Sequence, residues 1–562
     1  MYDDKELNRI KQMEEKWEAT TLKQDLEKAG ETKSVFTTPS GHPVKRIYTP
    51  LDLKEKKWNY SEKLGYPGEF PMTRGRYATG YRGHPWVRWL YAGFGCPEDT
   101  NKRFKYIYEQ GSQELGIALD LPTQLGLDSD DPRCKGEAGR VGVAIDSLQD
   151  IELLFDGIPL EEAMIFTTAN SIGAIMYGFL AALAERRGIP LEKMRLNIQN
   201  EPLKEFVARG TYIYPPRPSV KFSVDLLEYV IRNNLSEILR PYWFCGYHMR
   251  ESGATVTQEM AFTLADTVAY LDELVSRGVD INGFLDPEVN MCSSMDFFEG
   301  ICQHRAFRRM WAKLLKERYG ATNPRTLGVY LRGGSQSSNF TASQPLNNIV
   351  RGTLAVLAQT LEGCQNITIG ALDEALSIPS ELTHTVVLRT QQIIQEESGV
   401  INTVDPLAGS YYVESLTDEL EEKAWELYDK VMKMGGAIPA IESGFMQRQI
   451  AESAYEEMKR VQKGEKIIVG VNKYQSTEAA PIKLVKLDET ARERQIAKLE
   501  KLRKERDNAQ VTKTLKDLKE AATQGVNVVP FCISAVKAYA TLGEMCGVLR
   551  GVWGEYKAPG LW

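Results

Sequence analysis

Histidine and cysteine are both scarce in this chain. Five histidines are scattered among 562 residues, at His42, His84, His248, His304 and His384, and no local spacing resembles a zinc site. Eight cysteines lie far apart and none forms a C-x-x-C pair, which excludes a disulfide scaffold and fits a reducing cytoplasm. No apolar run approaches the length that spans a bilayer. The opening MYDDKELNRIKQMEEKWEATTLK is charged from its third residue and has no apolar core of a signal peptide. Excess basic charge is absent too: the net charge is −7, which argues against nucleic acid as the main partner.

What is present fits a large soluble protein, with 43% hydrophobic and 26% charged residues. Residues 4–30 read as one solvated helix, its thin apolar stripe formed by Leu7, Ile10, Met13, Trp17 and Leu22. Residues 36–53 form a proline-punctuated link. Residues 66–95 are rich in Gly, Arg and aromatics and follow neither a helical nor a strand period, so they read as a long ordered loop. Short apolar runs then alternate with helical stretches. Expected strands are 115–121, 163–169, 194–200, 242–247, 281–286, 326–332, 366–370 and 400–405, with helices such as 171–188 and 260–278 between them. Eight βα units in series predict an α/β fold, a (β/α)₈ TIM barrel, over residues 58–415. Residues 1–57 would be an N-terminal arm, and 416–562 a helical extension with neither a further βα series nor a glycine-rich nucleotide loop.

In such a barrel, function gathers where strands end. Those positions hold His248 after the fourth expected strand, Gln199 after the third, and Arg209, Gln336 and Glu374 in neighbouring loops. They hold no obvious nucleophile, no paired carboxylates and no metal-ligand set. Each residue has a plainer reading: a core histidine, a salt-bridging arginine, a core tyrosine at Tyr91. A site without its own acid–base pair or nucleophile points to a cofactor that brings the reactivity.

Several stretches together resemble one family: YAGFG (91–95), DLPTQLGLDSDDPR (120–133), EPLKEF (201–206), ARGTYIYPPRPS (208–219), GYHMRESGAT (246–255), LDEAL (372–376), QEESGVINTVDPLAGSYYVE (395–414) and VGVNKY (469–474). The chain resembles the substrate-binding part of methylmalonyl-CoA mutase and its adenosylcobalamin-dependent relatives from about residue 36 onward. The resemblance implies a barrel whose axis admits the pantetheine arm of a CoA thioester, with adenosylcobalamin across the strand C-termini supplying a radical for a 1,2-rearrangement. It implies Tyr91, His248, Gln199 and Tyr247 as catalytic residues, His248 donating a hydrogen bond to the thioester carbonyl. Arg209 would bind an acyl carboxylate. Tyr77, Thr79, Thr168, Gly116 and Gly334 would line the substrate, and Gly93, Leu121, Glu251, Gln336 and Glu374 the cofactor.

The family's D-x-H-x-x-G cobalt-ligand motif does not occur in this sequence. The cobalt ligand is therefore expected from a small cobalamin-binding subunit, in a heterodimer or α₂β₂ heterotetramer. The charged N-terminal helix is a candidate grip on that subunit, and no metal site is expected in this chain.

The sequence departs from the family pattern at His84, Gly116, Tyr242 in the bulky YWFC run, DPEVNM (286–291), Gly334, Phe340 and Thr368-Ile369-Gly370. Arg209 and Tyr91 favour a carboxylated acyl group, since isobutyryl-CoA relatives lack both. The 2-hydroxyisobutyryl-CoA relatives carry a small aliphatic residue at the tyrosine and an acid where Ala118 stands. Gly116 and Gly334 suggest an acyl chain bulkier than methylmalonyl, with methylmalonyl-CoA itself the alternative. A non-catalytic acyl-CoA binder or cobalamin-loading partner, and a conventional barrel lyase or hydrolase, are the competing classes.

Overall fold

The computed structural model describes residues 2–241, 243–476, 482, 485 and 488–558. Nine parallel strands form one sheet: β1 Val87–Ala92, β2 Glu114–Ile117, β3 Met164–Thr167, β4 Arg195–Ile198, β5 Leu239–Arg240, β6 Trp243–Cys245, β7 Glu288–Ser293, β8 Tyr330–Ser335 and β9 Asn366–Thr368. Their order is β5-β4-β3-β2-β1-β9-β8-β7-β6. The two ends of that order, β5 and β6, are separated only by Pro241 and position 242. They are halves of one interrupted stave, and Pro241, which has no N–H to donate, stands at the break. Eight staves with helices between them make the expected barrel, nearly closed.

Two expected strands are not strands, and two segments expected to be loops hold strands. Residues 66–95 are not all loop, because β1 lies inside them, its side chains alternating Val87, Trp89, Tyr91 against Arg88, Leu90, Ala92. The run 281–286 is a 3-10 turn, Ile281–Gly283, followed by Asp286 at φ 51°, and the strand is the DPEVNM segment expected to be a loop. Residues 400–405 also begin with a 3-10 turn, Val400–Asn402, and form no strand. Tyr242 lies outside the described residues.

The arm runs as Asp4–Trp17, a π-turn Glu18–Leu22 and Lys23–Lys28. Of its apolar stripe only Leu7 is buried. After the barrel, Tyr411–Lys433 packs on Val256–Ser276 and Phe297–Tyr319, while Val529–Lys537 packs on Gly173–Arg186. Barrel and C-terminal helices thus share one continuous apolar core.

The interior of the barrel is filled. Side chains two apart on a strand face the same way, and each stave sends one large residue inward. Arg332 of β8 donates to Glu114 of β2 at 2.7 and 3.1 Å and to Glu288 of β7 at 2.7 Å. Glu114 also accepts from Asn197 of β4 and Asn366 of β9. The Arg332 guanidinium lies 4.9 Å from the Trp89 ring, 5.1 Å from Phe166 and 4.3 Å from Trp243. Those rings belong to β1, β3 and β6, and they touch one another at centroid distances of 4.6 and 5.1 Å. Contacts between strands that are not neighbours can form only across the lumen. The axis expected to admit a pantetheine arm is therefore occupied, since Trp89, Phe166, Trp243 and Arg332 stand in it.

The fold also brings together His304, Glu362 and Cys364, all fully buried. The Nδ1 of His304 donates to the Gly300 carbonyl at 3.1 Å, and Ser293 donates to Glu362 at 2.9 Å. Burial lowers His304 to about 3 and raises Glu362 to about 8, so the group is neutral at pH 7. A carboxyl raised from 4.5 to about 8 favours the folded state below pH 4.5, and that contribution is lost as pH rises through 8. Glu362→Gln is expected to flatten the fall of Tm between about pH 5 and about pH 8, with the largest gain at the alkaline end. A variant profile parallel to the native one would refute the buried, protonated state of Glu362.

Candidate active site

Above the aromatic floor, at the C-terminal ends of the strands, lies a cavity of about 610 Å³. Trp89, Phe166 and Trp243 form its base. Tyr91, Gly93, Thr168, Gln199, Arg209, Tyr247, His248, Gly334 and Glu374 line it, so nine of the expected site residues meet in one place.

His248 sits on the short helix Tyr247–Glu251 that follows β6. Its Nδ1 lies 3.0 Å from the Nζ of Lys204, a fully buried ammonium that also donates to Gln199 Oε1 at 2.6 Å. An ammonium only donates. The Nδ1 of His248 therefore accepts, and its proton resides on Nε2, the donor His248 offers. Burial first, then Lys204 and Arg209, holds the imidazole well below its usual pKa. It is a neutral donor at physiological pH. With its oxygen engaged, Gln199 keeps a buried Nε2 that has no partner among the described residues.

Arg209 ends the π-turn Glu205–Arg209, closed by Gly210 at φ 89°. Such one-turn π segments recur at functional sites. Its Nη1 donates to Glu205 at 3.3 Å and to Thr211 at 3.1 Å. Glu205 is buried and anchored by Asn170 at 2.7 Å. Burial pushes its pKa up, but Lys204, Arg209 and Thr211 outweigh that and hold it below its ordinary value. Two cations against one carboxylate leave the wall positive, and its offered groups are donors. The arrangement suits an anionic, carbonyl-bearing ligand.

Tyr91, 37% exposed, stacks on Phe166 at 5.7 Å and shares a 2.7 Å hydrogen bond with Thr168. Tyr247 donates to the Ser335 carbonyl at 3.0 Å, and its ring fills the space a side chain on Gly334 would need. Glu374 accepts from Ser337 at 3.2 Å, and burial raises its carboxyl pKa. A side chain on Gly93 would overlap the Ala118 carbonyl, so only glycine lets the ends of β1 and β2 approach.

Six expected residues do not line this cavity. Gly116 lies beneath Phe166, whose ring occupies the place of its missing side chain. Neither Gly116 nor Gly334 therefore leaves a void, and contrary to expectation neither widens the acyl site. Glu251 is spent on the backbone N–H groups of Ser337 and Ser338. The amide of Gln336 donates to the Arg250 carbonyl and accepts from Asn339. Leu121, 40% exposed, borders a separate cleft. Tyr77 and Thr79 precede β1, so they sit at the opposite, N-terminal end of the barrel, Tyr77 stacked on His84 at 4.0 Å. Conversely, Lys204 and Glu205, which organise the wall, were not singled out from sequence. Their one signal is a Lys-Glu pair between the apolar residues Leu203 and Phe206.

Residues 37–555 match the family described as methylmalonyl-CoA mutase. The chain belongs to that family. A 2-hydroxyisobutanoyl-CoA mutase large subunit from Aquincola tertiaricarbonis is 41% identical over 545 residues, covering 96% of both chains. The methylmalonyl-CoA mutase of Cereibacter sphaeroides is 38% identical over 93% of this chain and 73% of its own. The human mitochondrial methylmalonyl-CoA mutase is 36% identical over 96% and 72%. The methylmalonyl-CoA mutase family is one of adenosylcobalamin-dependent isomerases. This member spans nearly the whole of a relative named a large subunit, and about three quarters of the longer mutases.

Proposed function

We propose that this chain is the large subunit of an adenosylcobalamin-dependent mutase that rearranges the carbon skeleton of a carboxylated acyl-CoA of the malonyl or succinyl type. The cofactor would lie between it and a separate cobalamin-binding subunit, in the cytoplasm. One observation carries this reading: Arg209 and the Lys204-fixed pair His248 and Gln199 converge on a single cavity. Arg209 binds the free carboxylate. His248 Nε2–H and Gln199 Nε2 donate to the acyl carbonyl. Because His248 is held neutral, it orients and polarises that carbonyl without transferring a proton. Tyr247, pinned on Ser335, and Tyr91, stacked on Phe166, shape the walls and limit water.

The rim fits the cofactor. Val141, 67% exposed, and Tyr91 present apolar surface at the mouth, suited to covering by a broad planar ring. Glu374 offers a carboxyl for ribose hydroxyls. When bound, adenosylcobalamin supplies the organic radical that these side chains cannot generate. Ala118 lines the cavity where an acid would be needed to hold a substrate hydroxyl, which disfavours a 2-hydroxyacyl substrate.

Mixing the chain with a cobalamin-binding subunit and adenosylcobalamin should convert methylmalonyl-CoA or a longer substituted malonyl-CoA to the isomeric succinyl thioester, read by mass spectrometry. Isobutyryl-CoA and 2-hydroxyisobutyryl-CoA should remain unchanged. Preferential turnover of either of these would overturn the role given to Arg209.

A further inference from the structure

We propose that the cavity has a second recognition pole, formed by Arg103 and His384, which binds the purine base of the nucleoside that adenosylcobalamin carries. The inference rests on the cofactor reading above and names the residues of this chain that read the base.

The strand order places this pole. In the ring of staves β4 stands next to the β5/β6 stave, and Arg209 and His248 follow these two. Across the ring from them, β1 pairs with β9. Phe94 follows β1 and precedes the helix Pro97–Glu109, which carries Arg103. Glu374 follows β9 and precedes the helix Glu381–Glu397, which carries His384 in its first turn. Phe94, Arg103, Glu374 and His384 all line the same cavity as Arg209 and His248. The cavity therefore has an acyl pole on one side and an unused polar pole opposite.

Its groups are donors without a taker. Arg103 is buried and forms no ion pair among the described residues. Its Nη1 donates to the Pro379 carbonyl at 2.7 Å and to His384 Nδ1 at 3.3 Å, which leaves Nε and Nη2 to offer. A guanidinium only donates, so Nδ1 accepts and His384 carries its proton on Nε2. That Nε2 has no partner among the described residues, although His384 is 3% exposed. Burial, then Arg103, pushes the imidazole down to about 3, so it is a neutral donor. Buried donors of this kind are costly until a ligand completes them. The ligand is not a second anion, because Asp373 and Glu381 already offset the charge of Arg103 from a distance and Glu374 borders the same wall. A neutral ring with acceptor nitrogens fits instead. The Phe94 ring lies 5.3 Å from the guanidinium, and Ile369, Leu376 and Ile378 supply the apolar faces such a ring needs. Glu374 between the two poles suits the sugar hydroxyls of the same nucleoside.

The test compares two cobalamins on the full chain assembled with its cobalamin-binding subunit. Dissociation constants for adenosylcobalamin, and for methylcobalamin, which lacks the nucleoside, are read from the corrin absorbance. The native complex should bind adenosylcobalamin the more tightly. Arg103→Met should weaken adenosylcobalamin about tenfold or more, the usual loss for a hydrogen bond to a charged group, and leave methylcobalamin within about twofold. His384→Leu should cost adenosylcobalamin about fivefold, and His384→Gln, which keeps an amide donor, should recover most of that. Free CoA, the other purine-bearing reactant, should leave adenosylcobalamin bound, and displacement by it would assign the pole to CoA instead. An unchanged ratio of the two constants in Arg103→Met and His384→Leu, or an equal loss of both cobalamins, overturns the base pole while the cofactor reading stands. If the native complex binds neither cobalamin, the cofactor reading itself fails and this inference falls with it.

Discussion

Replacing Lys204 by methionine is expected to lower kcat/KM of the reconstituted enzyme by about 10- to 100-fold, the value of one hydrogen bond to a charged group at 1.5–3 kcal/mol. Methionine matches the lysine stem in length and flexibility and carries no charge. The loss arises from orientation. Lys204 donates to Gln199 Oε1 at 2.6 Å and to His248 Nδ1 at 3.0 Å. Without it, the imidazole Nδ1 keeps only the weak contact of the Cys245 thiol at 3.4 Å, and the Gln199 oxygen loses its donor. The sign of the pKa change follows from its causes. His248 is held low by burial, then by Lys204, then by Arg209, so removing the lysine moves it upward while burial keeps it below the ordinary value. Nitrogen NMR of the imidazole should show one neutral tautomer in the native protein and a mixture in Lys204→Met. Lost turnover with an unchanged imidazole spectrum would assign Lys204 to folding instead of positioning.

That lysine also marks the limit of what the sequence discloses. The helices are legible because their apolar period is unambiguous, and Gly173–Arg186 and Val256–Ser276 fall close to where they are expected. Strands whose ends carry special turns are not. β1 is hidden because Arg88 and the glycines around it mask a two-residue alternation, and β7 is displaced because its apolar neighbour 281–284 lies outside the sheet. Within the site, residues that point into the cavity from recognisable stretches, such as Tyr91, His248 and Arg209, can be named in advance. Residues that hold them cannot. Lys204 and Glu205 look like surface charges until the π-turn at Glu205–Arg209 folds them inward. Gly116 and Gly334 mislead for the opposite reason. A glycine implies space in a sequence, but here Phe166 of the neighbouring β3 and Tyr247 of the short helix after β6 have taken it.

Replacing Arg332 by methionine is expected to destabilise the chain by about 3–5 kcal/mol, the usual result of removing one partner from a buried ion pair. Arg332, Glu114 and Glu288 are all fully buried, so neither carboxylate can turn to water once the guanidinium is gone. Asn197 and Asn366 still donate to Glu114, but neutral donors do not replace a cation. Burial already raises Glu288 despite Arg332, and the substitution removes the main opposing influence. The Glu288 carboxyl should then stay protonated in the fold. A carboxyl whose folded pKa is raised contributes stability below its unfolded pKa and loses it as pH rises through the folded value. The defect should therefore be small near about pH 5 and largest near about pH 8. Thermal unfolding of Arg332→Met at both pH values checks this directly, and an equal deficit at each would show that lost packing against Trp89, Phe166 and Trp243, not charge, is the cause. The triple variant Arg332→Met, Glu114→Leu, Glu288→Leu separates the two further. Removing the whole buried charge set should recover most of the stability, because the three rings need an apolar neighbour of similar volume more than they need its charge.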